Sequence, residues 1–340
     1  MTSITKYLLI LIIPLHLTFA QDTLKIISFG DTYLGSWVVA AIDTNGWDYP
    51  FRRTQTFIQS ADLAMVNLEG PFTDCSEPFM EKQYTLRVPP RMCQALVTAG
   101  IDAVTMANNH ILDFGFPGLE ETFKTLSANK ISACGAGMTL PEAYQPTYLT
   151  IKGTKVAVLG YSVVFPSEFW ADKSHGGTAF PYQERVIEAL QTAHTKADVV
   201  IVQVHWGEEL RDTPKPYQTD LAHLLVDQGA NVIFGHHAHI PLGIEIYKGV
   251  PIFYGLGNFA FGTYSEKAKG MGAEVTLTGN KVISGRIIPL NVFNEEVEFS
   301  PTVLEDNSKQ QFIHNINTIS TALNHGRNVL DDDGNLILTH

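Results

Sequence analysis

Val232-Ile233-Phe234-Gly235-His236-His237-Ala238-His239 couples a short apolar run to three histidines within four positions, with one glycine between them. The run Val232–Phe234 reads as a buried strand. Histidines bunched directly behind a strand are seldom structural, and neutral imidazole is a preferred ligand of borderline divalent ions. The pattern recurs along the chain. Asp31 follows the strand-like Leu24–Phe29 through Gly30, Asn67 and Glu69 follow Leu63–Val66, Asn108-Asn109-His110 follows Ala103–Met106, and His205 closes Val199–Val204. Val156–Gly160 and Ile252–Tyr254 supply two more strands.

Between the strands lie helical periodicities. Gly118–Asn129 places Leu119, Phe123 and Leu126 on one face. Glu184–Lys196 does so with Ile187, Leu190 and either Ala193 or His194, and Tyr217–Gln228 with Leu221, Leu224 and Leu225 before the terminator Gly229. Strands alternating with helices predict a layered α/β fold. In open α/β sheets ligands bind at the carboxyl ends of parallel strands, so residues far apart in sequence converge on one pocket.

The chemistry of the strand ends also converges. One Asp, one Glu, one or two Asn and three His are the oxygen and nitrogen donors that zinc, manganese or iron accept. A carboxylate can bridge two cations, and an amide oxygen adds a donor without charge. Two ions about 3.5–4 Å apart can bind a phosphoryl oxygen and acidify a bridging water, which predicts metal-assisted hydrolysis. Each residue alone has a plainer reading. Asp31 suits a turn or helix N-cap, Asn108 and Asn109 suit turns, and His205 suits a hydrogen-bonded core position. Glu69 is harder to set aside, because a pocket edge is a poor place for an unpaired carboxylate.

The rest of the chain bounds the class of protein. A net charge of −12 over 340 residues excludes a nucleic-acid partner and an anionic membrane surface, both of which need a basic face. Met1–Ala20 carries Lys6, the apolar run Tyr7–Leu17 and the small-residue end Thr18-Phe19-Ala20, the pattern of a cleaved secretory signal. That run, interrupted by Pro14, is shorter than the roughly 20 apolar residues a membrane span needs. With no second such run, the chain is expected to be exported to the periplasm or cell surface and to carry no transmembrane span after cleavage. Cys75, Cys93 and Cys134 fit neither a disulfide framework nor a zinc site; one pair could be bridged, or all could be small buried hydrophobes. From Glu274 the pattern changes to a hairpin, Glu274–Thr278 and Val282–Ile288 around Gly279-Asn280, then a helix near Gln310–Leu323 and the acidic Asp331-Asp332-Asp333. With no repeat or linker, residues 21–340 are expected to form a single domain, with a core of about 24–290 and an extension over 291–340.

Six blocks in order carry a resemblance. They are Phe29-Gly30-Asp31; Ala61-Asp62-Leu63 with Asn67-Leu68-Glu69-Gly70-Pro71; Ala107-Asn108-Asn109-His110 with Asp113 and Gly115; His205-Trp206-Gly207-Glu208; Gly235 to His239; and Tyr254-Gly255-Leu256-Gly257-Asn258-Phe259. Together they resemble the capsule biosynthesis protein CapA family, the poly-γ-glutamate synthesis group, over about Leu24 to Pro289. That family is similar to the calcineurin-like metallophosphatases. The resemblance changes the expected architecture from one doubly wound sheet to a four-layer α/β/β/α arrangement, a β-sandwich flanked by helices with a two-metal site at its edge.

The resemblance also implies roles. Asp31 would bind the first of two divalent ions (manganese, zinc or iron), Glu69 would bridge both, Asn109, His205 and His237 would bind the second, and His239 the first. His110 would stabilise or protonate the leaving oxygen, with Asp113 a partner for its ring. Tyr33 stands where the superfamily usually has a histidine and Glu69 where it usually has aspartate. The first metal therefore loses one nitrogen ligand, in whose place Tyr33 could give a phenolate oxygen to a ferric ion, and His236 could replace His237. Glu208 and Glu209 could orient a ligand histidine or form a solvated loop, while Trp206 and Phe259 read as wall or core. The implied function is a metal-dependent hydrolase of phosphoester type in capsule, poly-γ-glutamate or other envelope-polymer biosynthesis. Its substrate would be an envelope polymer or a phosphorylated small molecule, and its partners capsule synthesis and export proteins. The alternative is a non-catalytic assembly or polymer-binding factor on the same scaffold.

Overall fold

In Thr23–Tyr33 (β1), Ile26 turns into one apolar layer and Ile27 into another, and in Leu63–Leu68 (β2) Leu63 and Met65 part in the same way from Ala64 and Val66. Strands apolar on both faces must be covered on both faces. The computed structural model describes residues 23–265 and 267–338, and the signal expected over residues 1–20 lies outside them.

β1 and β2 run parallel with Ala103–Thr105 (β3) and Ser132–Cys134 (β4). The second sheet holds Thr147–Ile151 (β5), Thr154–Ser162 (β6), Val199–His205 (β7), Val232–His236 (β8), Ile244–Tyr247 (β9) and Val250–Phe253 (β10), in the order β9-β10-β8-β7-β6-β5. The first sheet is completed by Asn258–Phe261 (β11), Gly270–Thr278 (β12), Lys281–Asn291 (β13) and Thr302–Val303 (β14), in the order β14-β13-β12-β1-β2-β3-β4, with β11 also on β1. The hairpin β12–β13 turns through Gly279-Asn280, where Gly279 takes φ 58°.

Three apolar layers separate four structural ones. Ile26, Leu63 and Met65 of the first sheet meet Val158, Ile201, Val232 and Phe234 of the second in the middle layer. Helices Trp37–Asn45, Gln55–Ser60, Cys93–Ala99 and Gly115–Ala128 cover the outer face of the first sheet. Gln183–Lys196, through Val186, Ala189, Leu190 and Ala193, and Pro216–Asp227, through Ala222, Leu225 and Val226, cover the second. This is the α/β/β/α arrangement. The first three helices carry no readable signal in the sequence because they have only nine, six and seven residues, too few turns to display a period. The C-terminal helix Asp306–Ser320 sends Phe312, Ile313 and Ile316 into the middle layer. All three cysteines are free; Cys93 and Cys134 belong to the apolar layers, and Cys75 is half-buried.

β1 runs on to Tyr33 rather than stopping at Phe29, so Asp31 lies within a strand and not in a turn or cap. Its far end pairs with β11, placing Asp31 opposite Asn258. The approach is close: a Cβ on Gly30 would fall 1.8 Å from the Gly257 carbonyl oxygen, so only glycine fits. Between Ser28 and Asp31 the β1–β2 register shifts, three steps on β1 matching two on β2, and Asp31 comes opposite Asn67. Such a bulge re-aims side chains near sites.

Candidate metal centre

The carboxyl ends of β1, β2 and β3 in one sheet and of β7 and β8 in the other open on the same edge, where Asp31, Asn67, Glu69, Asn108, His205, His236 and His237 are all buried. Asn67 joins the acidic pair. Its Nδ2 donates to Asp31 Oδ1 at 2.8 Å and to Glu69 Oε2 at 3.3 Å, while its Oδ1 accepts from Asn108 Nδ2 at 3.0 Å. Burial raises the pKa of Asp31, and burial together with the Asp31 charge pushes Glu69 well above the usual carboxylate range. Among the described residues neither carboxylate has a lysine or arginine ion-pair partner; their basic neighbours are histidines.

His239 stands between them, its Nδ1 2.7 Å from Asn258 Oδ1 and 3.4 Å from Asp31 Oδ2, its Nε2 3.7 Å from Glu69 Oε1. One ligand atom from each of Asp31, Glu69 and His239 lies within 4.8 Å of the others. Beside this group, His205 Nε2 is 2.9 Å from Asn109 Oδ1, and the His205 and His237 ring centroids are 4.8 Å apart. The turn after β8 holds His237 and His239 at φ 92° and 56°, conformations that non-glycine residues adopt at a cost and that cluster at functional sites. The His237 N–H donates to Asp31 Oδ2 at 3.1 Å, tying that turn to β1. Burial drives His236 and His237 down to about 3 and His205 well below its ordinary value, so these imidazoles are neutral near pH 7 and carry lone pairs. Nδ1 of His236 and Nδ1 of His237 are buried without a hydrogen-bond partner among the described residues.

His110 lies at the rim with its Nδ1 2.7 Å from Asp113 Oδ2. Burial lowers its pKa, and Asp113 opposes that shift. Asp113 also receives the Leu86 N–H at 2.6 Å and the Lys82 ammonium, which in turn donates to the Asn109 carbonyl at 2.5 Å.

The structure therefore gathers Asp31, Glu69, Asn109, His110, Asp113, His205, His237 and His239 at one edge. Tyr33 is turned away: its hydroxyl donates to the Arg87 carbonyl at 3.4 Å and its ring packs on Phe261, so it offers no phenolate. Glu208 and Glu209 are exposed, with Glu208 paired to Lys215 at 2.8 Å, a solvated loop. Trp206 and Phe259 are core. Sequence reasoning assigned no role to Asn67, Lys82, Gln203 or Asn258. Gln203 was detectable as a polar residue inside the apolar run of β7, a position that requires a partner; Lys82, on a loop, gave no signal. Two buried carboxylates, neutral imidazoles, amide oxygens and two orphaned imidazole nitrogens fit divalent cations of the borderline class.

Residues 25–263 match the family described as bacterial capsule synthesis protein PGA_cap. The chain is 31% identical over 246 residues to the PGA biosynthesis protein CapA of Bacillus subtilis, covering 72% of this chain and 65% of that protein. It is 29% identical over 280 residues to the capsule biosynthesis protein CapA of Bacillus anthracis, covering 80% of this chain and 68% of that one. The match thus spans less than two thirds of the Bacillus subtilis relative's length. Among solved structures, the calcineurin-like phosphoesterase YfkN from Bacillus subtilis is similar at TM-score 0.47 and 15% identity, over 86% of this chain and 97% of that one. The chain belongs to the PGA_cap family of bacterial capsule synthesis proteins.

Proposed function

We propose that this chain is an exported, metal-dependent hydrolase of envelope-polymer biosynthesis, acting on a phosphoester-type bond in a polymer or in a phosphorylated small molecule. The observation that carries the reading is the burial of Asp31 and Glu69 side by side against imidazoles, with no ammonium or guanidinium among the described residues paired to either. Asp31 and His239 would hold one ion, Asn109, His205 and His237 the other, and Glu69 would serve both. Manganese, zinc or iron bound there would offset the buried charge, polarise a substrate oxygen and make water a better nucleophile.

The chain's own residues do the rest. Asn67 holds both carboxylates in orientation. His110 keeps Nδ1 against Asp113, whose carboxylate favours the imidazolium; once Nε2 has taken up a proton, it can hand that proton to a leaving oxygen. Lys82 and the Leu86 N–H fix Asp113 in that task. Export rests on the Met1–Ala20 pattern, and among the described residues no helix is long and apolar enough to cross a membrane. The role in capsule or poly-γ-glutamate synthesis, with synthesis and export proteins as partners, rests on the family.

The test is metal analysis of the purified protein followed by a phosphoester and amide hydrolysis screen, with wild type beside His110→Ala. Metal-dependent turnover that falls by about 10²–10⁴-fold in the variant is the expected result. Bound metal with no turnover of any substrate would leave a non-catalytic assembly or polymer-binding factor. Failure to load any metal removes the ligand set itself.

A further inference from the structure

His236 is the last residue of β8 and is completely buried, yet its two ring nitrogens have different surroundings. Nε2 lies 2.8 Å from Gln203 Oε1. The other end of that amide is committed: Gln203 Nε2 points at Met65 Sδ, 3.4 Å away, and sulfur can only accept. Gln203 therefore presents its oxygen to His236, and an oxygen can only accept, so the proton of the neutral imidazole sits on Nε2. Nδ1 is then a bare lone pair. Among the described residues it meets no hydrogen-bond partner, and it stands 3.6 Å from Asp31 Oδ1, beyond hydrogen-bond reach and facing another acceptor.

A buried lone pair aimed at a buried carboxylate is unfavourable in both partners unless a cation lies between them. We infer that His236 is a metal ligand through Nδ1, additional to His237 rather than a substitute for it, on the ion that Asp31 holds, and that Gln203 is the positioning residue that selects its tautomer. His237 and His239, on the turn beyond, remain available for the ligand roles already given. The Tyr33 hydroxyl is directed at the Arg87 carbonyl, so His236 would be the second nitrogen, beside His239, on this side of the site. The arrangement is that of a ligating histidine whose far N–H is held by an amide oxygen, the kind of outer contact that sets ring orientation and basicity.

The inference rests on the metal reading above, and its test separates the two. His236→Gln retains an N–H that can reach Gln203 but has no lone pair at the Nδ1 position; Gln203→Leu keeps His236 and frees its tautomer. Mn²⁺ and Co²⁺ binding is followed by calorimetry, with the visible spectrum of the Co²⁺ form as a second readout. His236→Gln should lose at least about 100-fold in affinity at one site and alter the Co²⁺ spectrum, and Gln203→Leu should lose about 10–100-fold with stoichiometry unchanged. Melting of the metal-free forms checks folding, and if His236→Gln does not fold, Gln203→Leu carries the test. Wild-type affinity and spectrum in the folded variants overturn the role of His236 and leave the metal site standing. A wild type that binds neither ion overturns the metal reading and this inference with it.

Discussion

Asn67 donates through one amide nitrogen to Asp31 at 2.8 Å and is held in that orientation by Asn108 at its oxygen. The amide thus settles a carboxylate pair that burial alone would set at odds. Its removal leaves Asp31 and Glu69 facing each other with a lost donor and leaves Asn108 Nδ2 with one partner fewer. Asn67→Ala should destabilise the metal-free protein by about 2–3 kcal/mol, read by urea denaturation. Added divalent ion should recover part of that loss; a change below about 0.5 kcal/mol, the range of an uninvolved surface substitution, would contradict the linking role.

Metal uptake should release protons, and their source follows from the directions of shift. Asp31 and Glu69 are raised, so above the ordinary carboxylate range the unloaded protein still holds protons there that a cation must displace. His205, His236 and His237 are lowered, the latter two to about 3, so near neutrality they have no extra proton to give. Release should be largest in mildly acidic buffer and fade as pH rises through the raised carboxylate values. Titration calorimetry in buffers of different ionisation enthalpy measures it. Release that instead grows with pH would mean the ligands are not those assigned.

Gly30→Ala should be among the most damaging small substitutions. The added methyl would meet the Gly257 carbonyl oxygen at 1.8 Å, and that oxygen accepts the Asp31 N–H at 2.8 Å. β1 and β11 would have to separate at the residue that places Asp31. We expect a loss of more than about 3 kcal/mol in thermal or urea unfolding, together with weakened metal binding.

Thiol labelling should divide the cysteines. Burial raises the Cys93 and Cys134 thiols to about 12, so almost no thiolate is present near pH ~8, whereas Cys75 is half-buried. Native protein should react quickly at one thiol of the three and at the others only on unfolding. Rapid labelling of Cys134 would show that the middle apolar layer opens.

Most of the longer strands and the four longest helices, Asp306–Ser320 among them, were legible in the chain because apolar runs and a period of 3.6 are local and need no knowledge of the partner. Ser132–Cys134, Thr147–Ile151, Ile244–Tyr247, Asn258–Phe261 and Thr302–Val303 were not. The placement of polar residues behind strands was equally legible, since parallel strands with buried faces end at a common edge. Helices such as Gln55–Ser60 were not, being too short to show a period. The extent of β1 was not either, because its last residues are held as strand by pairing with β2 resumed beyond a bulge and by β11, more than two hundred residues away in sequence.

For the site, residue types and their order announced oxygen and nitrogen donors, but the use of each atom was a tertiary matter. Tyr33 stands two residues from Asp31 and yet turns to Arg87, while Asn258, on a distant strand, reaches His239. The tautomer of His236 depends on an amide in β7 and a sulfur in β2. Local sequence carries side-chain chemistry and period; which lone pair faces which neighbour arises only when both sheets are packed, because a hydrogen bond depends on distances and directions between chain segments that sequence order does not contain.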